Sequence, residues 1–479
     1  MSDAPRHSSD TRTGETIQLR GKTLLASGFH MPARGSVGEL ENALILVAED
    51  GTIASVLRPQ DPAYDAELKA ARKAGRLATL PNGFYLLPGL VDLHVHAPQY
   101  PQLGQALDVP LEIWLHRYTF PLEARYADAA FAKRSYELLV RDLLANGTTT
   151  ALYFATIHQD ATRILVDTCL EQGQRALVGK VAMDNPGECP DYYRDVSADA
   201  AIDGTRVLID YVRTHPSNAE GLVKPVVTPR FIPACSDAAL EGLGALAAEC
   251  GCHVQTHCSE SDWEHSYVLQ RHGMSDTESL DRFGLLGRRS VLAHAGFITE
   301  KDMEIIALKR SAVAHCPLSN AYFGGAVFPL KAALEKALNV GLGTDISGGP
   351  SASLFDAMRT AIMASRMLES GIEPDLPAHE RSRRKGARID FRDAFYLATT
   401  GGGISIDLPI GRFAPGCHFD AIAIDAKAEH GTIRLLDDLD RGEAILQKIV
   451  YTASKPNIAA VWVAGRQVSS SLTSTMGSE

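Results

Sequence analysis

Residues 86–96 read LLPGLVDLHVH, an apolar run opened by Pro-Gly whose last five positions carry Asp92, His94 and His96. A short apolar run bounded by turn residues predicts a buried strand. In a strand, residues i and i+2 share a face. Both imidazoles therefore point the same way at its end. Seven more runs of this style follow, at 148–155 (TTTALYFA), 176–183 (ALVGKVAM), 223–231 (VKPVVTPRF), 253–260 (HVQTHCSE), 290–296 (SVLAHAG), 312–318 (AVAHCPL) and 339–346 (NVGLGTDI). Amphipathic helical stretches separate them. One is predicted from about Ala129 to Ala145, ended by Asn146-Gly147. Another opens at Thr299 with Asp302 three residues on, as in a capping box. Eight alternating strand–helix units predict an α/β fold, a (β/α)8 barrel of the TIM type, with its site at the C-terminal strand ends. The barrel is expected over 85–410.

The chain ends read differently. Segments 17–25, 43–49 and 52–57 near the start, and 420–425, 446–451 and 459–464 near the end, look like short strands joined by turns. They predict one small β-sandwich domain formed by both chain ends, from 15–84 and 411–470. Residues 1–14 and 471–479 are expected to be disordered tails. The charged stretch 371–390 (GIEPDLPAHERSRRKGARID) reads as a solvated loop.

With 479 residues, a net charge of -11 and 45% hydrophobic residues, the chain has an ordinary soluble balance. The acidic balance argues against a nucleic-acid partner, which wants clustered Lys and Arg. No run of about 18 apolar residues predicts a membrane span. The polar N-terminus lacks the apolar segment of a signal peptide. The eight cysteines hold one close pair, Cys250 and Cys252, and no second pair for a structural zinc site. They are expected to be reduced, which suits a cytoplasmic protein.

The polar residues at the strand ends carry the chemistry. His94 and His96 end the first strand, His257 the fifth, His294 the sixth and Asp345 the eighth. Buried polar groups need partners, and one cation satisfies all five together. Four imidazoles and a carboxylate predict a mononuclear zinc site, one Zn2+ per chain, with Fe2+ or manganese as alternatives that the donor set also permits. A two-metal site is disfavoured because the fourth strand ends in Arg230-Phe231 and its Lys224 lies at the N-terminal end. His315, Cys258 and Cys316 are read as packing or supporting residues, and His158 as a loop residue. Zinc makes a hydroxide nucleophile near neutral pH. Asp345 can act as weak ligand and general base. Glu260, three residues beyond His257, is the candidate general acid, because a carboxyl group screened from water holds its proton.

The pattern PGLVDLHVH, HCSE, LAHAG and GLGTD resembles the amidohydrolase superfamily. Within it, His94–Gln99 (HVHAPQ), Tyr118–Glu123 (YTFPLE), Gly147–Ala151 (GTTTA), Tyr153–His158 (YFATIH), Gly179–Asp184 (GKVAMD), Thr228–Phe231 (TPRF) and Cys316–Asn320 (CPLSN) resemble the guanine deaminase family. The resemblance implies a barrel plus a small β domain and hydrolysis of guanine to xanthine and ammonia. It also implies a homodimer with metal residues His94, His96, His257, His294 and Asp345. Gln99, Arg230, Phe231 and His257 would bind the base together with Glu260. The Arg230 fork suits the O6/N7 edge of guanine, Gln99 offers a donor and an acceptor, and Phe231 a stacking face. Arg230 and Phe231 alternate along their strand, so a twist must bring both to the base. Other aminohydrolases of the superfamily, acting on cytosine, 8-oxoguanine, a triazine or S-adenosylhomocysteine, are the nearest rivals. A non-catalytic scaffold on this fold would be expected to have lost metal residues, and none is missing. The chain departs from the family pattern at Tyr322-Phe323, in a loop that could cover the pocket, and in the length of 371–390.

Overall fold

The computed structural model describes residues 18–436 and 438–470; the two expected tails lie outside the described residues. Eight parallel strands run in chain order around the barrel: Leu90–His96, Thr148–Phe154, Arg175–Gly179, Val223–Pro229, His253–Cys258, Ser290–His294, Ala312–His315 and Asn339–Leu342. Helices intervene, including Ala129–Ala145, capped by the Asp128 side chain, and Glu300–Lys309, opened by a Thr299/Asp302 capping box. Inside the barrel, Leu93, Leu152, Leu177, Val226, Val291 and Ala314 belong to one apolar cluster. This plug leaves the polar strand ends at one mouth.

The seam between the first and eighth strands is closed by the site residues' own backbone. The Asp345 N–H donates to the His94 carbonyl at 2.8 Å, and the His96 N–H to the Ile346 carbonyl at 3.0 Å. Asp92 accepts from the Thr344 N–H at 3.0 Å and hydroxyl at 2.6 Å. Burial pushes the Asp92 carboxyl up to about 7, against the pull of the Thr344 and His94 hydrogen bonds. Gly343 is required at this seam: a Cβ there would stand 2.8 Å from the His94 Cβ and 2.9 Å from Cys316 Sγ.

The chain ends build a second, eight-stranded sheet in which Ala421–Asp425 and Ile458–Val463 continue the N-terminal strands Thr23–Ala33, Ser36–Val47 and Ile53–Leu57. Phe84–Pro88 joins the two ends. The expected strand at 86–96 is therefore two strands. Pro88 pairs with Ala421 in the small sheet, and Leu90 with Thr148 in the barrel. The expected strand at 446–451 is instead part of the helix Glu443–Thr452, whose buried Leu446, Ile449 and Val450 follow helical spacing. A buried Arg175–Asp420 pair, at 2.9 and 3.1 Å, ties the small sheet to the barrel. The 371–390 stretch holds no helix or strand and is largely exposed. No helix among the described residues is long and apolar enough to cross a membrane.

Candidate active site

Four imidazoles and one carboxylate meet at the barrel mouth. Asp345 Oδ1 lies 3.2 Å from His94 Nε2 and 3.6 Å from His96 Nε2, and its Oδ2 lies 3.7 Å from His294 Nε2. His96 Nε2 and His257 Nε2 stand 2.9 Å apart. A bulge in the first strand between Asp92 and Val95 locally resets its register, as bulges beside sites do. Phe154, ending the second strand, packs its ring 4.8–4.9 Å from the rings of His94, His96 and His257.

Supporting bonds orient two of the rings. His257 Nδ1 donates to the Arg230 carbonyl, so its Nε2 carries the lone pair. His294 Nδ1 lies 3.0 Å from Asn320 Oδ1, which turns its Nε2 inward. Ser259, His294, Ala295 and Asp345 all have left-handed backbone, with φ of 50°, 72°, 52° and 50°. Such conformations cost roughly 1–3 kcal/mol each in non-glycine residues and gather at functional sites.

The electrostatics fit a cation. Burial holds His94, His96, His257 and His294 below the ordinary histidine range, and neighbouring imidazoles add to this for the first three, so the rings are neutral bases. His94 Nε2, His94 Nδ1, His96 Nδ1 and His294 Nε2 are buried without a hydrogen-bond partner. Neutral imidazoles and a carboxylate facing one point are the donor set of a first-row divalent ion. Cys316 Sγ also lies within 4.8 Å of ring nitrogens of His94 and His294. Burial pushes its thiol far above the usual range. His315 is buried against Phe328, and Cys258 is buried in the core. Neither lines the cavity.

That cavity opens beside the imidazoles. His96, His257, Asp345 and Glu260 form one wall, Gln99 and Arg230 another, and Trp114, Phe231 and Phe323 supply aromatic faces. Glu260 Oε1 lies 3.6 Å from His294 Nε2. Burial first, then the Asp345 charge, raises its carboxyl well above the usual range. Arg230 and Phe231, just past the end of the strand at Pro229, both line the cavity. All nine residues expected at the site thus converge on one cavity or its histidine cluster.

Reading the sequence missed one participant. Glu123 is fully buried and grips Arg230 at 2.6 and 3.0 Å and Gln99 at 2.9 Å. The signal was an acid inside the aromatic stretch Tyr118–Glu123, where a buried carboxylate needs a partner. Phe323 lines the cavity, 5.1 Å from Trp114, while its neighbour Tyr322 is half exposed.

A closed parallel barrel with this donor set at its C-terminal mouth defines a metal-dependent hydrolase scaffold, and the model of the amidohydrolase family matches residues 85–468. A probable guanine deaminase of Schizosaccharomyces pombe is 36% identical over 448 residues, covering 92% of this chain and 82% of its own. The guanine deaminase of Homo sapiens is 37% identical over 391 residues, 80% of this chain and 83% of its own. The crystal structure of a guanine deaminase from C. acetobutylicum, with guanine bound in its active site, matches with a TM-score of 0.82 at 31% identity, covering 93% of this chain and 99% of that one. The chain belongs to the amidohydrolase family and, within it, to the guanine deaminases.

Proposed function

We propose that the chain hydrolyses guanine to xanthine and ammonia, with one zinc ion held by His94, His96, His257, His294 and Asp345. The observation that carries the substrate is the cavity, whose lining brings together acids and imidazoles, amide and guanidinium donors, and aromatic rings. A planar, amide-like base matches all three. Zinc supplies Lewis acidity and a water nucleophile at neutral pH; Fe2+ would fit the same donors. Arg230 and Gln99 orient the base, and Phe231 packs on it. Asp345 takes the proton of the attacking water. Glu260, whose enclosure favours its protonated form, gives its proton to the ring nitrogen beside C2 as the water oxygen bonds to C2. The proton held by Asp345 then passes to the amine, the C2–N bond breaks to release ammonia, and the C2 hydroxyl returns its proton to Glu260 as the carbonyl of xanthine forms. We further infer a cytoplasmic homodimer; the eight free cysteines favour a reducing compartment, and the dimer follows the family resemblance.

The test is an ultraviolet assay of guanine against cytosine, 8-oxoguanine and a melamine-type triazine, with metal analysis of the same preparation. Preferential turnover of guanine by a protein carrying one zinc per chain is expected. A preference for any of the other three would overturn the substrate.

A further inference from the structure

Glu123 touches none of the imidazoles, yet both recognition side chains are fastened to it. Its Oε2 accepts from Arg230 Nη1 at 2.6 Å. Its Oε1 accepts from Arg230 Nη2 at 3.0 Å and from Gln99 Nε2 at 2.9 Å. All three side chains are at least 98% buried, so solvent screens none of these bonds. Phe120, three residues earlier on the same segment, lies 5.0 Å from the guanidinium. One short segment therefore holds the arginine by charge and by ring face together.

What remains free on each partner follows by counting. Arg230 has five N–H groups. Two go to Glu123, and Nη1 also lies 3.9 Å from Met183 Sδ. The Nε–H and the second Nη2–H lie parallel on one edge of the guanidinium. They have no acceptor among the described residues. Gln99 accepts from the Ser347 N–H at 3.1 Å and donates to Glu123. Its amide is thereby fixed against flipping, with one N–H and one lone pair to spare.

We propose that Glu123 is a positioning residue for substrate recognition. By taking the end-on pair of Arg230 N–H groups, it presents the side-on pair, with the preset Gln99 amide, to the edge of the base. This role rests on the guanine assignment proposed above. A glutamine at 123 keeps the size but turns an N–H group toward N–H donors. The fork and the amide then lose their common anchor.

Guanine kinetics, metal content and thermal melting of wild type, Glu123→Gln, Arg230→Gln and the double variant test it. Expected for Glu123→Gln is a KM raised at least tenfold, kcat within threefold, and unchanged metal per chain. In the Arg230→Gln background the same change is expected to move KM less than fivefold, because its main partner is already gone. A merely structural role would lower the melting temperature and leave KM alone. Wild type without guanine turnover overturns both the substrate and this role. Wild type active on guanine, with Glu123→Gln raising KM less than tenfold, overturns the positioning role alone. If Glu123→Gln does not fold, the pair Arg230→Gln and double variant decides: KM values within fivefold support the role, and a wider gap overturns it.

Discussion

Behind the imidazole wall of the cavity, His94 and His294 keep buried ring nitrogens that meet no hydrogen-bond partner. On the other wall, Gln99 and Arg230 each donate to Glu123 within 3.0 Å, and the Ser347 N–H donates to the Gln99 amide oxygen. The side chains of both walls are buried, and a buried polar atom left alone costs about 1–3 kcal/mol. The first wall is complete only with a group the chain does not carry. The second is complete in itself and offers the substrate its surplus donors. Metal binding and base recognition are therefore separable, and variants on one wall should leave the other's property intact.

The largest effect is expected on the imidazole wall. His94→Ala or His294→Ala removes a proposed ligand and should take metal per chain toward zero. Lewis-acid stabilisation of several kcal/mol, at about 1.36 kcal/mol per tenfold, predicts a loss of turnover of about a thousandfold or more. Chelation of the wild type should also lower its melting point. A metal at a hundredfold excess over its Kd contributes about 2.7 kcal/mol to stability. Calorimetry before and after readdition of zinc measures this. Glu260→Gln comes next. It keeps shape and metal but removes the acid, so turnover should fall by about 10²–10⁴. A near-normal rate would exclude Glu260 from the chemistry, and a loss of metal would make it a ligand.

The imidazole wall was legible in the sequence, and the recognition wall only in part, for a physical reason. His94, His96, His257, His294 and Asp345 each stand within three residues of the end of a barrel strand, and strand periodicity with chain order predicts that such positions converge. Glu123 lies on no barrel strand. It sits on 111–124, a run of short helical turns interrupted by a π-type turn at Leu115–Thr119, and no periodicity predicts which of its side chains turn inward. The split at Gly89 was hidden likewise, because Phe84–Pro88 and Leu90–His96 are both apolar throughout most of their length and only their partners differ. At 446–451 a short apolar run suited either element. Its burial at i, i+3 and i+4 emerges only from packing against the helices Leu354–Ser370 and Phe391–Tyr396.

Arg230→Ala sharpens the contrast from the second wall. It should raise KM for guanine by about 10–100-fold, the worth of a lost bidentate contact of about 1–3 kcal/mol, with metal per chain unchanged. It also leaves Glu123 buried without its counter-ion, which costs about 3–5 kcal/mol of stability. Denaturant unfolding checks that figure. Loss of metal instead would show that the two walls are not independent.

The smallest effect is expected from the aromatic side of the cavity, where two neighbouring residues supply their own control. Phe323 lines the cavity against Trp114, and Tyr322 is half exposed. Phe323→Ala removes one face and an aromatic pair worth about 0.5–1.5 kcal/mol, so KM for guanine should rise about two- to tenfold with kcat and metal little changed. Tyr322→Ala deletes a ring of similar size one position away and should change neither. Equal effects from the two would mean that the loop acts through its own folding. A Phe323 effect on kcat larger than on KM would mean that the ring serves the imidazole wall, by keeping water from Glu260, and the division between the two walls would have to be redrawn.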